Sequence, residues 1–245
     1  MSGSLNTWQL LGLIVVSGVL WMLYVQSKDR HQPEPRWRLF WAFGLGLVAW
    51  LISILSYRAL DALGLPDVKF NERPWTAVYC LGIIGPIEEG SKVLLAYLFV
   101  FRWREYDEPI DGFVYAAALS LGFASAENLY TTAGSGWIYQ LAQTITMPLA
   151  HVLFGAIWGL GISHAHFCVS RPLPRALWQV ASVALAMLAH GLYDFLVLAY
   201  QARLATSGLV LALWGFTVWR LHLLRKRALE AIPAKPSQNP SMPPL

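Results

Sequence analysis

The sequence predicts an all-α protein, a polytopic bundle of seven transmembrane helices with its N-terminus outside and its C-terminus in the cytoplasm. Three observations carry that expectation. Of 245 residues, 56% are hydrophobic and only 13% are charged, against roughly 25% charged in soluble domains, which excludes an ordinary soluble chain. Mean hydropathy is +0.48, and seven stretches approach the ~20 apolar residues that cross a bilayer as a helix. The 18 lysines and arginines divide unevenly between alternate loops, which sets an orientation.

In chain order, the spans fall at residues 5–25, 37–57, 75–101, 112–132, 143–167, 176–200 and 204–224. The first has no charge between Met1 and Lys28, and its basic residues follow the apolar run, as in an uncleaved span and unlike a signal peptide. The second lies between the turn-forming Gln32-Pro33-Glu34-Pro35 and Gly64-Leu65-Pro66-Asp67. The third contains Gly85-Pro86, where a helix is expected to break. The fourth follows Glu108-Pro109, with Asp111 placed as its cap. The fifth follows Gly134-Ser135-Gly136 and the sixth follows Arg171-Pro172-Leu173-Pro174. The seventh ends at Arg225-Lys226-Arg227, read as a topology determinant beside anionic headgroups and not as a nucleic-acid patch. Residues 233–245 are rich in Pro and Ser and are expected to be a disordered cytoplasmic tail, leaving residues 1–232 as the bundle.

Thirteen basic residues, from Lys28 and Arg30 through Arg102 and Arg171 to Lys235, share one side of this arrangement. Only Arg58, Lys69, Arg73 and Arg203 share the other. The positive-inside rule puts the first group in the cytoplasm, which requires an odd number of spans. The chain is therefore expected in the cell membrane as a multi-pass protein, with the lipid bilayer as its surroundings and no nucleic acid as partner. Cys80 and Cys168 fall near opposite ends of their helices, so they are expected to be packing residues and not a disulfide. The 12 tryptophans read as an aromatic belt, and His164 and His166 as interfacial.

The informative residues are polar ones inside spans: Glu88, Glu89 and Lys92 on the third, Glu127 and Asn128 on the fourth, His151 on the fifth, His190 and Asp194 on the sixth. An ionised group near the bilayer centre costs ~2.5–3.5 kcal/mol on insertion scales, so five of them must face one another or a water-filled cavity. Glu89 and Lys92 are three apart, Glu88 and Lys92 four apart, and His190 and Asp194 four apart, all spacings that share a helix face. Glu89 with Lys92 reads either as a salt bridge pairing helices or as part of the pocket. Asn128 reads as an interhelical hydrogen-bonding residue. The convergence of Glu88, Glu127, His190 and Asp194 from three helices points to a pocket in the outer half of the membrane.

Carboxylates in low dielectric supply a general acid or base, and histidine faces a developing oxyanion. Hydrolysis by activated water uses these parts, with Glu88 or Glu127 taking the proton. A metal variant uses the same residues: Glu127, His151 and His190 as zinc ligands, with Asp194 beside them and Glu88 as base. The competing reading is a proton- or ion-coupled transporter, since buried acids and a broken helix also make a midplane ion site. Seven spans do not divide into two equal repeats, which counts against it.

Four motifs then resemble a known family. Glu88-Glu89-Gly90-Ser91-Lys92 is similar to the EExxK motif of the PrsW-type intramembrane proteases, relatives of the CAAX prenyl endopeptidases. Phe123-Ala124-Ser125-Ala126-Glu127-Asn128 resembles their FxxxEN, His151 their lone histidine, and His190-Gly191-Leu192-Tyr193-Asp194 their HxxxD. The resemblance covers residues 85–194, the expected catalytic core. It implies a membrane-embedded endopeptidase in which Glu88 and Glu127 activate water while His190 and Asp194 line the oxyanion side. It also implies a single-span membrane protein as substrate, with first-site cleavage of a membrane-anchored anti-sigma factor as the associated activity. Lys92 stands where the CAAX branch has an arginine one residue later, and Glu127 where it has histidine, so farnesylated substrates are not implied.

Overall fold

The computed structural model describes residues 3–28, 32–65 and 72–231, and no strand occurs among them. The helices are α1 (Thr7–Gln26), α2 (Arg36–Ala62), α3 (Arg73–Tyr79), α4 (Gly85–Leu98), α5 (Asp111–Thr132), α6 (Trp137–Cys168), α7 (Pro172–Tyr200) and α8 (Arg203–Ala231). A π-helical turn, Cys80–Ile84, joins α3 to α4, and a 3₁₀ turn, Val100–Arg102, follows α4. Five helices have the length and apolarity of a membrane span: α1, α2, α6, α7 and the Leu204–Leu224 part of α8. The third expected span takes the form of α3, the π-turn and α4 end to end. The fourth, α5, has 22 residues, most of them buried against protein. The expected tail lies outside the described residues, as do Arg30, Lys69 and Lys235.

Local chemistry sets the helix ends. Asn6 caps α1 in a reciprocal pair with Gln9, which satisfies two N–H groups that the first turn leaves open. Pro172 and Pro174 fall in the first turn of α7, where no intrahelical N–H is needed, so the helix begins four residues before the apolar run. Similarly, α6 opens at Trp137, six residues ahead of the expected span. Gly64 and Gly134 have φ of 79° and 80°, the left-handed turns their flanking sequences suggested. Asp111 does not cap α5. It is the first helical residue, past the capping position, and its Oδ2 turns back to accept N–H bonds from Asp107 (2.9 Å) and Glu108 (2.6 Å).

Helix α5 is the centre of the bundle, packed by α1, α2 and α6. Lipid is as apolar as leucine, so close backbone contact between small residues is what holds such helices together. Gly46 of α2 and Gly122 of α5 allow that contact on one side: a methyl added at Gly122 would lie 1.9 Å from the Phe43 carbonyl oxygen. On the other side Gly112 meets Gly159 of α6, where an added methyl would lie 2.3 Å from the Gly112 carbonyl oxygen. Pro148 interrupts α6 and, lacking an N–H, frees the carbonyl of Thr144 four residues earlier. Ser17 of α1 donates its hydroxyl to that carbonyl at 2.6 Å, so the broken bond is remade between helices. Both cysteines are free thiols, Cys80 buried and Cys168 exposed.

Candidate active site

The site begins with the crossing of α4 over α7. Pro86 cannot donate to the helix ladder, and the chain accommodates it with the π-turn, in which the Gly85 N–H reaches the Cys80 carbonyl. Gly85 and Gly191 then let the two backbones touch. A methyl at Gly85 would lie 2.2 Å from the Met187 carbonyl oxygen, and one at Gly191 would lie 2.4 Å from that of Cys80. This contact, one turn before Glu88 and one residue after His190, brings the carboxylates of α4 against the histidine of α7.

Glu89 is the hub. It is completely buried, and its Oε1 accepts from Lys92 Nζ at 2.8 Å and from His190 Nδ1 at 2.9 Å. Its Oε2 accepts from Trp158 Nε1 of α6 at 2.9 Å. A carboxylate satisfied by three donors is the state in which a buried charge is tolerated. The Glu89–Lys92 pair is a buried ion pair within α4 and not a salt bridge between helices; it reaches the other helices through His190, His151 and Trp158 and sits behind the histidines. Lys92 Nζ also lies 2.9 Å from His151 Nδ1 and 3.8 Å above the centre of the Phe123 ring. Phe154 stacks on His190 at 4.7 Å, which fixes the plane of that imidazole.

The opposite edges of the two histidines face the carboxylates of Glu88, Glu127 and Asp194, and the space these groups border is the polar gap of the site. Glu88 Oε1 accepts from the Tyr57 hydroxyl of α2 at 2.9 Å, while its Oε2 is buried without a hydrogen-bond partner. His190 Nε2 is 3.6 Å from that Oε2 and 3.4 Å from Asp194 Oδ2, both too long for hydrogen bonds. His151 Nε2 is 2.7 Å from Glu127 Oε2, yet the direction is off the N–H axis and this oxygen, too, lacks an aligned hydrogen bond. Glu127 and Asp194 have side chains 19% and 22% exposed where Glu88 and His190 are nearly closed off, so the gap opens past these two acids.

Glu88, Glu127, His151, His190 and Asp194 come together, with Glu89 and Lys92 behind them. Asn128 departs from expectation. It is fully buried, but its amide makes no interhelical hydrogen bond among the described residues. Tyr57 and Trp158 were not foreseen. Their only sequence signal is a hydroxyl near the end of one span and an indole deep inside another, away from an interfacial belt. Ligating atoms of Glu88, His151 and His190 lie within 4.8 Å of one another; Glu127 touches His151 but stands outside that triangle, where the sequence had put it in place of Glu88.

A model of the PrsW family, described as intramembrane metalloproteases, matches residues 34–221. A protein named Protease PrsW from Geobacillus kaustophilus is 32% identical over 227 residues, covering 91% of this chain and 96% of that protein. Proteins of the same name from Bacillus subtilis and Clostridioides difficile are each 28% identical, covering 76% and 86% of this chain and 81% and 87% of their own lengths. No solved structure matches. The match favours hydrolysis over ion-coupled transport for the buried acids. Its extent takes in the helices that carry the gap and its supports, and the chain belongs to the PrsW family of intramembrane proteases, a multi-pass enzyme of the cell membrane.

Proposed function

We propose that the chain is an endopeptidase that cuts a single-span, membrane-anchored protein near the outer face of the bilayer, an anti-sigma factor at its first site being the substrate the family resemblance suggests. The supporting observation is the pair of carboxylate oxygens without an aligned hydrogen bond, on Glu88 and Glu127, beside His190 and Asp194. A water there loses its proton to Glu88 or Glu127 as it attacks the scissile carbonyl, and His190 with Asp194 lies where the tetrahedral oxygen develops. With seven crossings and the N-terminus outside, Glu127 lies five residues from the outer end of α5 and His190 ten from that of α7, depths of about 7 and 15 Å.

The family description implies a metal, and the residues fit one: ligating atoms of Glu88, His151 and His190 lie within 4.8 Å of one another, and Glu88 Oε2 makes no hydrogen bond among the described residues. His190 Nε2 and Glu88 would hold it, with Asp194 beside them. When bound at such a set, zinc supplies Lewis acidity, lowering the pKa of water and polarising a carbonyl. The reading is tested by expressing the enzyme with a single-span reporter: the wild type is expected to yield a truncated product that Glu127→Gln does not. Equal cleavage by Glu127→Gln at normal membrane levels would remove this carboxylate from the reaction.

A further inference from the structure

The two histidines at the gap are held from behind by partners of opposite character. His190 Nδ1 faces the Glu89 carboxylate at 2.9 Å, which accepts only, so Nδ1 carries a proton and Nε2 is left for the gap. This is the carboxylate–histidine pairing that supports metal ligation. His151 Nδ1 faces Lys92 Nζ at 2.9 Å. An ammonium donates only, and this one is pinned by the Glu89 carboxylate at 2.8 Å and by the Phe123 ring face. The Nδ1 of His151 must therefore accept, and its proton resides on Nε2.

We propose that Lys92 locks His151 with its proton on Nε2, the ring edge that lies 2.7 Å from Glu127 Oε2, so that His151 is not a metal ligand, although its ligating atom lies within 4.8 Å of those of Glu88 and His190. An imidazole nitrogen that carries a proton has no lone pair to give a metal. The opposite arrangement needs Nδ1–H pointing at a Lys92 amine that has lost its proton while lying against Glu89, a placement that leaves the buried carboxylate without its cation. The lock also explains why Lys92 is in the membrane at all. It is a positioning residue that acts through His151, and Glu89 holds both histidines at once, one directly and one through Lys92. The part this plays in proteolysis rests on the protease reading above; the tautomer does not.

The test is ¹⁵N NMR of histidine-labelled protein in nanodiscs, with His151 assigned as the ring signals that vanish in His151→Gln. Expected in the wild type is a protonated Nε2 with an unprotonated Nδ1, and Lys92→Met is expected to lose that pattern and to slow cleavage by about 10–100-fold, as supporting residues around such sites do. A protonated Nδ1 with a bare Nε2 in the wild type overturns the proposal, whether or not Lys92→Met folds. Zinc content of the purified protein gives a second reading. Where the wild type holds zinc, His151→Gln is expected to keep it and His190→Gln to lose it, and loss in His151→Gln overturns the proposal. Neither measurement needs a substrate, so an inactive protein with the expected tautomer would count against the protease reading and leave the lock standing.

Discussion

Trp158 donates its indole N–H to Glu89 from inside the bundle, and this single bond shows how the site is held from behind its reactive face. Removing one donor from a buried carboxylate costs about 1.5–3 kcal/mol; Trp158→Phe is accordingly expected to lower stability by that much in detergent unfolding while leaving residual cleavage. Glu89→Ala removes the acceptor of three donors and strands Lys92 in the interior, for an expected loss of about 3–5 kcal/mol. A Glu89→Ala protein as stable as the wild type would mean that the hub is not structural. Tyr57 touches Glu88 from α2. Tyr57→Phe is expected to reduce kcat by about 10–100-fold with little change in KM, and wild-type kcat in that variant would show that the hydroxyl does not position the carboxylate.

At the scale of the elements, two proline breaks are resolved in different ways, and each makes its own prediction. The Pro86 break is absorbed by the π-turn and by backbone contact between Gly85 and Gly191. Gly191→Ala would press a methyl to 2.4 Å from the Cys80 carbonyl oxygen, pushing α4 away from α7. Displacing reactive groups by about 1 Å costs on the order of 100-fold, so activity is expected to fall at least that far with helix content unchanged. Gly82→Ala, whose methyl meets nothing within 4 Å, is the matched control and should stay active. The Pro148 break is repaired by Ser17. Ser17→Ala should cost about 1–2 kcal/mol by stranding the Thr144 carbonyl, and much less in a Pro148→Ala background, where the helix supplies its own N–H. Additive effects in that double-mutant cycle would refute the coupling.

For the whole molecule, much of the site was legible because its reactive residues are chemically out of place. Glu88, Glu127, His190 and Asp194 stand out against an apolar chain, and i, i+4 spacing puts two of them on one face. Tyr57 and Trp158 did not stand out, since their meaning depends on α2 and α6 packing beside α4, which no local pattern encodes. The role of Glu89 was ambiguous for the same reason: spacing shows its lysine and hides its histidine and tryptophan partners on other helices. The all-helical class was read correctly, while the third span resolved into two helices joined by a π-turn, and helix ends were missed at Trp137 and Pro172 because hydropathy marks where lipid begins and not where hydrogen bonding does. The orientation inferred from charge has its own check. Cys168, exposed at the end of α6, should be shielded from an impermeant thiol reagent on intact cells, while Ala133→Cys, between α5 and α6, should be labelled; the reverse pattern would invert the topology. The central claim, that the buried acids hydrolyse a peptide bond within the membrane, is tested most directly in proteoliposomes holding only the purified enzyme and a single-span substrate, with the fragments weighed by mass spectrometry. The expected result is a cut in the outer half of the substrate's span by the wild type and none by Glu88→Gln; equal cutting by both, or none by either, would contradict it.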